Sequence, residues 1–316
     1  MKKNGTIIQM VNGLSIKMKR RIKKYFYSFY LLYTRLKDKI DVKLISDKDY
    51  VKRKFIKNFG VIPDIENPKR YNEYISKILL TEPDPLMVQC ADKYEVRKYV
   101  SEKIGDFILN DLYGVYNNVK ELENDWNNLP EQFVLKATHG CSWNYICKDK
   151  KKVNLKKIKP LFNHWLKHSF YYAQREKIYK QMTPRIIAEK YLEDETGELI
   201  DYKIHCFNGE PKFINVIVNR FSNMKLNTYD INWNFIDVTF DPHYPNDPHL
   251  NIEKPENLDQ MLNFSKILSN NFNYVRVDFY IVFGKIYFGE LTFTPGNGAY
   301  TSFTYEDDLY LGSFFN

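Results

Sequence analysis

The sequence predicts an α+β fold with a mainly helical N-terminal region. Three observations carry this. Residues 1 to about 90 are polar, with helical spacing, and break at Gly60-Val61-Ile62-Pro63-Asp64 and at Glu82-Pro83-Asp84-Pro85. From Asp201 onward the pattern is mostly strand. Near the C-terminus two runs rich in β-branched and aromatic residues flank a short break at Phe283-Gly284-Lys285, which reads as a hairpin. Helices fall between hairpins rather than after single strands, so a doubly wound sheet is not expected.

Taken in order, Asp92 to Ile104 has helical spacing of Tyr94, Val96, Tyr99, Val100 and Ile104, inside a mixed segment from Met87 to Asn128. Gln132 to Lys136 reads as a strand, Ala137 to Ser142 as a small-residue turn, and Trp143 to Cys147 as a second strand. A helix is expected over Leu155 to Lys180, then a strand from Arg185 to Leu192 introduced by Pro184. Asp201 to Phe207 and Pro211 to Asn219 flank the turn Asn208-Gly209. A proline-rich loop over 241–248 and a helix over Leu258 to Asn270 lead into the C-terminal hairpin. The expected divisions are a basic amphipathic segment 1–40, a helical and mixed domain 41–130, and α+β subdomains 131–195 and 196–316.

Hydrophobic residues form 44% and aromatics 16% of the 316 positions, enough core for one large or two to three small domains. The four cysteines, Cys90, Cys141, Cys147 and Cys206, show no CxxC spacing and point to a reducing cytoplasm. His139, Cys141 and Cys147 lie close together but fit no zinc spacing. The net charge is +8, and residues 17–24 hold six Lys or Arg ahead of the apolar run Tyr25 to Tyr33. That run is well short of the ~20 residues that span a bilayer, and it lacks a small-residue cleavage site. Residues 17–33 read either as a solvated basic helix or as a peripheral contact with the anionic inner face of a membrane. No recognisable nucleic-acid module follows, so nucleic acid is not an expected partner.

A three-residue loop in the C-terminal hairpin sets Asp278 opposite Glu290 and Arg276 opposite Thr292. On the other face it pairs Val275 with Phe293, Val277 with Leu291 and Ile281 with Tyr287. A two-residue turn would instead put the two carboxylates on opposite faces. Carboxylates directly opposite on a sheet repel; a cation between them removes the conflict, and all-oxygen ligands suit Mg²⁺, which usually also holds substrate phosphates. On this reading, neutralising either acid leaves the metal-free protein no less stable. Lys136 ends a buried-looking strand and precedes a loop with Gly140 and Ser142, a loop type that approaches phosphates through backbone N–H groups. Ile186 to Leu192 is an apolar strand interrupted by Glu189 and Lys190, suited to hold adenine at its edge.

The order of these pieces resembles the ATP-grasp superfamily. The segments are Asp92-Lys93, then Phe133-Val134-Leu135-Lys136 with its Gly/Ser loop, then Ala188-Glu189-Lys190-Tyr191-Leu192, then Arg276-Val277-Asp278-Phe279, then Gly289-Glu290-Leu291-Thr292 with Pro295-Gly296. They are similar to the set in D-alanine–D-alanine ligases. The segments 92–97, 136–140, 201–209 and 288–296 resemble the TupA-like (teichuronopeptide-biosynthesis) branch more closely still. The resemblance covers roughly residues 65 to 312. It implies an ATP-grasp fold, in which two α+β subdomains clasp ATP.

It also implies roles. Lys93 and Lys136 contact ATP phosphates, and the loop from His139 through Gly140 to Ser142 folds over them. Glu189 and the backbone of Lys190 and Leu192 hold adenine, with Tyr191 packed beside it. Asp201 binds ribose, with Asp194 and Glu198 as alternatives because of the insertion at 193–200. Lys203 and Arg220 are further phosphate-binding bases. Asp278 and Glu290 hold Mg²⁺, and Arg276 stabilises the reacting centre. Thr292 departs from the superfamily, where Asn is the usual further metal ligand.

The implied activity is an ATP- and Mg²⁺-dependent ligation. A carboxylate on a sugar or amino acid is activated as an acyl phosphate and joined to an amine, in bacterial surface polysaccharide such as capsule, teichuronopeptide or O-antigen. No Ser-His-Asp or Cys-His arrangement is apparent, which fits a mechanism without a protein nucleophile. Two alternatives stay open: a grasp-fold sugar kinase, and a non-catalytic or glycosyltransferase-like protein of a polysaccharide locus.

Overall fold

The computed structural model describes residues 27–194, 199–220 and 222–316. The basic run at 17–24 and the first two residues of its apolar continuation, Tyr25 and Phe26, therefore lie outside the described residues, as does Glu198. Two antiparallel sheets organise the chain. The smaller has the order β1 (Leu112–Tyr116), β4 (Ile186–Lys190), β2 (Phe133–Ala137), β3 (Asn144–Cys147). The larger runs β10 (Lys285–Thr292), β9 (Tyr274–Val282), β5 (Asp201–Phe207), β6 (Glu210–Val218), β7 (Lys225–Asp230), β8 (Phe235–Ile236). All strand pairs are antiparallel, in keeping with the α+β class read from the hairpins. Strands β1, β7 and β8 lie in segments where the sequence pattern gave no distinct strand.

Alternation divides each sheet into an apolar and a polar face. In the smaller sheet, Phe133, Leu135, Ala137, Ile186 and Ala188 are buried with Phe162 and Trp165 of the helix Leu155–Lys167. Their alternation partners Lys136 and Glu189 therefore share the opposite face. In the larger sheet, Ile204, Val216, Val275, Val277, Phe279 and Leu291 pack with Leu258, Met261 and Leu268 of the helix Leu258–Ser269. Asp201, Lys203, Arg276, Asp278, Glu290 and Thr292 belong to the other face.

The helix expected over Leu155 to Lys180 is broken. It stops at Lys167, a short helix Phe170–Gln174 restarts with the Ser169 hydroxyl accepting from the Tyr171 N–H, and Arg175 turns left-handed at φ 63°. The break has a tertiary cause. The carbonyls of Trp165 and His168 are drawn to His139 Nε2 (2.8 and 3.2 Å), while Arg175 is buried on the Ile45 carbonyl and Asp47.

The N-terminal helices are built into this frame. The helix Tyr27–Leu44 packs on helices Leu155–Lys167 and Phe170–Gln174, with Asp38 Oδ2 3.2 Å from His168 Nε2. It runs through position 40 without a break. The next helix, Asp47–Phe59, is capped at its start by Ser46 and at its end by left-handed Gly60. Among the described residues, no helix is long and apolar enough to cross a membrane.

The C-terminal hairpin corrects the sequence reading in one respect and preserves its consequence. The turn has two residues, Phe283 (φ 49°) and Gly284 (φ 75°), so Ile281 pairs with Ile286 rather than with Tyr287. Two left-handed residues are what a tight hairpin of this kind requires. By itself that turn would part the carboxylates. The register then shifts between Phe288 and Glu290, with Gly289 as the extra residue, and beyond it Glu290 pairs with Asp278, Leu291 with Val277 and Thr292 with Arg276. A Cβ on Gly289 would sit 3.0 Å from the Asp278 carbonyl and 3.1 Å from the Tyr280 ring. The bulge is therefore tightest without a side chain.

Candidate active site

Pairing across β10, β9 and β5 brings Glu290, Asp278 and Lys203 side by side. Arg276 lies between the two carboxylates. Its Nε donates to Asp278 Oδ1 (2.6 Å) and its Nη2 to Asp278 Oδ2 (2.7 Å), Glu290 Oε1 (3.3 Å) and Thr292 Oγ1 (3.1 Å). Lys203 Nζ donates to Asp278 Oδ2 at 2.5 Å. The repulsion expected between the acids is thus already relieved by protein cations, and Asp278 is almost wholly buried among them. This reverses the stability expectation for Asp278, because neutralising it would strand Arg276 and Lys203. Burial resists ionisation of Glu290, but Lys93, Arg276 and Lys203 outweigh it and draw its carboxyl down to about 2.

Asp201 continues the row on β5. Its Oδ1 accepts from Arg220 (3.2 Å) and lies 3.9 Å from Lys203, while its buried Oδ2 has no hydrogen-bond partner among the described residues. Burial raises its pKa against the pull of Lys203 and Arg220. A buried acceptor of this kind can take a donor from a water or a ligand.

A buried chain of polar groups fixes the strands beneath. Thr228 donates to the Val238 carbonyl and accepts from Asn215 Nδ2, so Asn215 Oδ1 must accept from His205 Nε2. His205 Nδ1 then accepts from the Tyr274 hydroxyl, whose own partner is Tyr71. Burial and the neighbouring Arg276 hold His205 neutral, with its pKa well below the usual value.

Across the cleft, Lys136 Nζ lies 2.7 Å from Glu189 Oε2, and Arg97 reaches Glu189 Oε1 at 3.4 Å. Lys190 points outward toward Asp111 (3.4 Å), and its carbonyl accepts from Asn110 Nδ2. Tyr191 and Leu192 are half-buried, with Lys148 over the Tyr191 ring. Lys93 bridges the two lobes: its Nζ donates to the Gly140 carbonyl (2.8 Å) and stands 3.5 Å from Glu290. The loop at 138–142 is pinned by the buried His139 side chain, which is directed at the Trp165 and His168 carbonyls rather than at the cleft. Gly140 lies against Trp143, so close that a Cβ would meet the ring at 2.7 Å. Ser142 is exposed, in a left-handed conformation.

The structure thus gathers Lys93, Lys203, Arg276, Asp278, Glu290 and Thr292 in one cluster, with Asp201 and Arg220 at its edge. Lys136 and Glu189, on the smaller sheet, form a second group with Arg97. A family match described as TupA-like ATPgrasp covers residues 73–316. The chain belongs to the TupA-like ATP-grasp family. No curated protein matches it. Among solved structures, D-alanine–D-alanine ligase from Helicobacter pylori is 15% identical, with a TM-score of 0.39, over 72% of this chain and 60% of that one. N5-carboxyaminoimidazole ribonucleotide synthetase, in its ADP complex, is 11% identical, with a TM-score of 0.43, over 69% of this chain and 48% of that one. The Bacillus anthracis D-alanine–D-alanine ligase, complexed with ATP, is 14% identical, with a TM-score of 0.38, over 85% and 76%. The chain thus spans well under two thirds of the length of the first two.

In this member of the family, four residues that the structure brings near the cluster carry no sequence signal of their own role: Arg97, Glu176, Thr294 and Lys54. Arg97 and Thr294 lie within the segments 92–97 and 288–296 that resemble the family's motifs. Glu176 falls inside the helix expected over Leu155 to Lys180 and Lys54 in the polar helical region before residue 90, and nothing in their local pattern marks them.

Proposed function

We propose that this ATP-grasp protein is an ATP- and Mg²⁺-dependent ligase that activates a carboxylate as an acyl phosphate and joins it to an amine. The observation that carries the reading is the Gly289 bulge, which returns Glu290 to the same face as Asp278, with Arg276 and Lys203 beside them and Lys93 reaching across. A hairpin with this turn has no structural need for such a register shift.

Two carboxylates on neighbouring strands, with the Thr292 hydroxyl alongside, fit Mg²⁺, which takes few protein ligands and completes its shell with phosphate and water. Asp278 and Glu290 would hold it, and when bound it offsets charge on the phosphates. Lys93, Lys136, Lys203 and Arg220 supply cations for the transferring phosphoryl group, and Arg276 stabilises the reacting centre. The backbone of the loop through Gly140 and Ser142 covers the phosphates; the His139 side chain anchors that loop from beneath. Glu189, the backbone of Lys190 and Leu192, and Tyr191 take the adenine end. The Lys190 carbonyl has a second lone pair free for this after serving Asn110. The open oxygen of Asp201 suits a ribose hydroxyl.

For the substrates we propose a uronic acid or amino acid carboxylate and an amine, in bacterial surface polysaccharide, a reading supported by membership in the TupA-like branch. Cytoplasmic placement, with peripheral attachment to the anionic inner face of the membrane, is part of the same proposal. It is supported by the basic run at 17–24 and by exposed Phe29, Leu32 and Leu36 on the helix that follows.

The test is ADP release in a screen of amino acids against free and nucleotide-linked uronic acids. A ligase releases ADP and phosphate when carboxylate and amine are both present. Stoichiometric transfer of phosphate to a sugar hydroxyl would replace this reading with the kinase. Absence of ATP binding by calorimetry would leave only a non-catalytic role.

A further inference from the structure

Glu176 is a buried carboxylate that the roles above do not use. It lies just past the short helix Phe170–Gln174, and its Oε2 accepts from the Thr294 hydroxyl at 2.5 Å. Thr294 continues the alternation of Glu290 and Thr292, so Glu176 stands at the end of the reactive row. Among the described residues no Lys, Arg or His nitrogen lies within 4.0 Å of it. The nearest influences are Lys54 from helix Asp47–Phe59, Lys93, Glu290 and the Tyr179 hydroxyl. A buried acid normally has a cation to pair with; this one has a hydroxyl. Among the described residues its Oε1 has no hydrogen-bond donor, and it is not one of the fully sealed atoms.

Glu176 also borders a narrow cavity of about 10 Å³, room for a single water, together with Thr294, Lys177, Ile78, Thr81, Pro83 and Met87. The last four of these also line a pocket of about 460 Å³, walled by Tyr74 stacked at 4.1 Å on Phe315. The floor beside Glu176 is held by the turn at 295–298. Gly296, Asn297 and Gly298 are all left-handed there. Lys54 Nζ donates to the Asn297 carbonyl (3.2 Å), and Asn297 Nδ2 to Gln174 Oε1 (2.9 Å).

We propose that Glu176, with Thr294, anchors the ammonium group of the amine substrate at the end of the row formed by Glu290 and Thr292. The inference rests on the ligase reading above. Of the three reactants in that reading, ATP and the carboxylate are anionic and would be repelled by a buried, unpaired carboxylate. The attacking amine brings the complementary charge on the atom that must lose a proton. Glu176 Oε1 takes one proton from the ammonium, and the freed nitrogen lone pair forms the C–N bond as the acyl C–O bond to phosphate breaks. The electron pair of that bond leaves with the phosphate, which receives the second nitrogen proton, and the amide keeps the third. Burial raises the Glu176 carboxyl to about 7, which suits a group that takes a proton near neutral pH.

The experiment uses the full chain with Mg²⁺ and ATP, a panel of uronic and amino acid carboxylates, and two kinds of nucleophile. Hydroxylamine is uncharged near neutral pH and traps acyl phosphates as hydroxamates without an anionic anchor. Glycine, L-glutamate and ethanolamine carry the ammonium. In Glu176→Gln the amine KM should rise at least ~10-fold while the KM for ATP and for the carboxylate stay within about twofold, as expected when one binding contact to one substrate is removed. Glu176→Asp should recover part of the loss. An unchanged amine KM in a folded Glu176→Gln protein overturns the inference and leaves the ligase reading intact. Equal losses with hydroxylamine and with amines also overturn it, because Glu176 would then serve activation. No hydroxamate from the wild-type protein with any carboxylate overturns the ligase reading, and this inference with it.

Discussion

Replacing Glu176 by Gln should stabilise the protein, by an amount that depends on pH in a defined way. Burial raises the Glu176 carboxyl from its ordinary 4.5 to about 7, against the opposing pull of Thr294, Lys54 and Lys93. Holding a carboxyl that far up corresponds to about 3 kcal/mol working against its charged form. Below pH 4.5 the group is protonated in both folded and unfolded chains, and no penalty exists. Between 4.5 and about 7 the folded chain keeps a proton that the unfolded chain has released, so wild-type stability falls as pH rises through this window and levels off above it. Gln does not titrate and can still accept from the Thr294 hydroxyl. The variant's advantage should therefore be near zero at pH 4.5 and approach ~3 kcal/mol by pH 8. The loss of Glu176 as a neighbour of Lys54, whose own pKa burial lowers to about 8, makes that figure an upper bound. Urea unfolding of both proteins in parallel at pH 5, 6, 7 and 8, followed by circular dichroism, measures the difference. A difference that does not change with pH, or a variant less stable at pH 8, would refute the reasoning. Carboxylates with their pKa raised in this way cluster at functional sites.

Further outcomes follow from the same geometry. Asp278→Asn and Glu290→Gln should each lower Mg²⁺-dependent ADP formation by ~10²-fold or more in kcat; activity within tenfold of wild type would remove these residues from the site. Asp278→Asn should also destabilise the protein by about 3 kcal/mol or more, because it strands Arg276 and Lys203 in a buried cluster, and denaturant midpoints measure this. Lys136→Ala should weaken ATP binding in calorimetry while leaving a folded protein, since a half-buried strand-end lysine contributes charge more than packing. Removing residues 1–26 should preserve turnover and reduce association with anionic vesicles. Removing 1–40 should lower thermal stability as well, because Leu31 and the Asp38–His168 contact go with it.

The sequence determined the class of fold and most of the site by short-range pattern. Period-two alternation in 275–282 and 286–292 marks which residues share a face, and that alone groups Arg276 with Asp278 and Glu290 with Thr292. Lys136 and Glu189 were legible for the same reason, as charged residues interrupting apolar strands. The register between β9 and β10 was not legible. The two-residue turn and the Gly289 bulge each shift pairing by one, and only their sum gives the Asp278–Glu290 pair; local propensity does not count residues across a turn. Nor did the pattern show that Arg276 and Lys203 already neutralise the acids, since β5 lies some seventy residues away in the chain. Glu176 and Lys54 are the clearest cases of tertiary decision. One sits where a helix breaks because Trp165 and His168 are held by His139, the other on a helix whose end meets the turn at 295–298. Neither has a neighbour in sequence that explains it. Their chemistry exists only because chain segments more than a hundred residues apart close over the same buried space, where desolvation changes what a carboxylate and an amine can do.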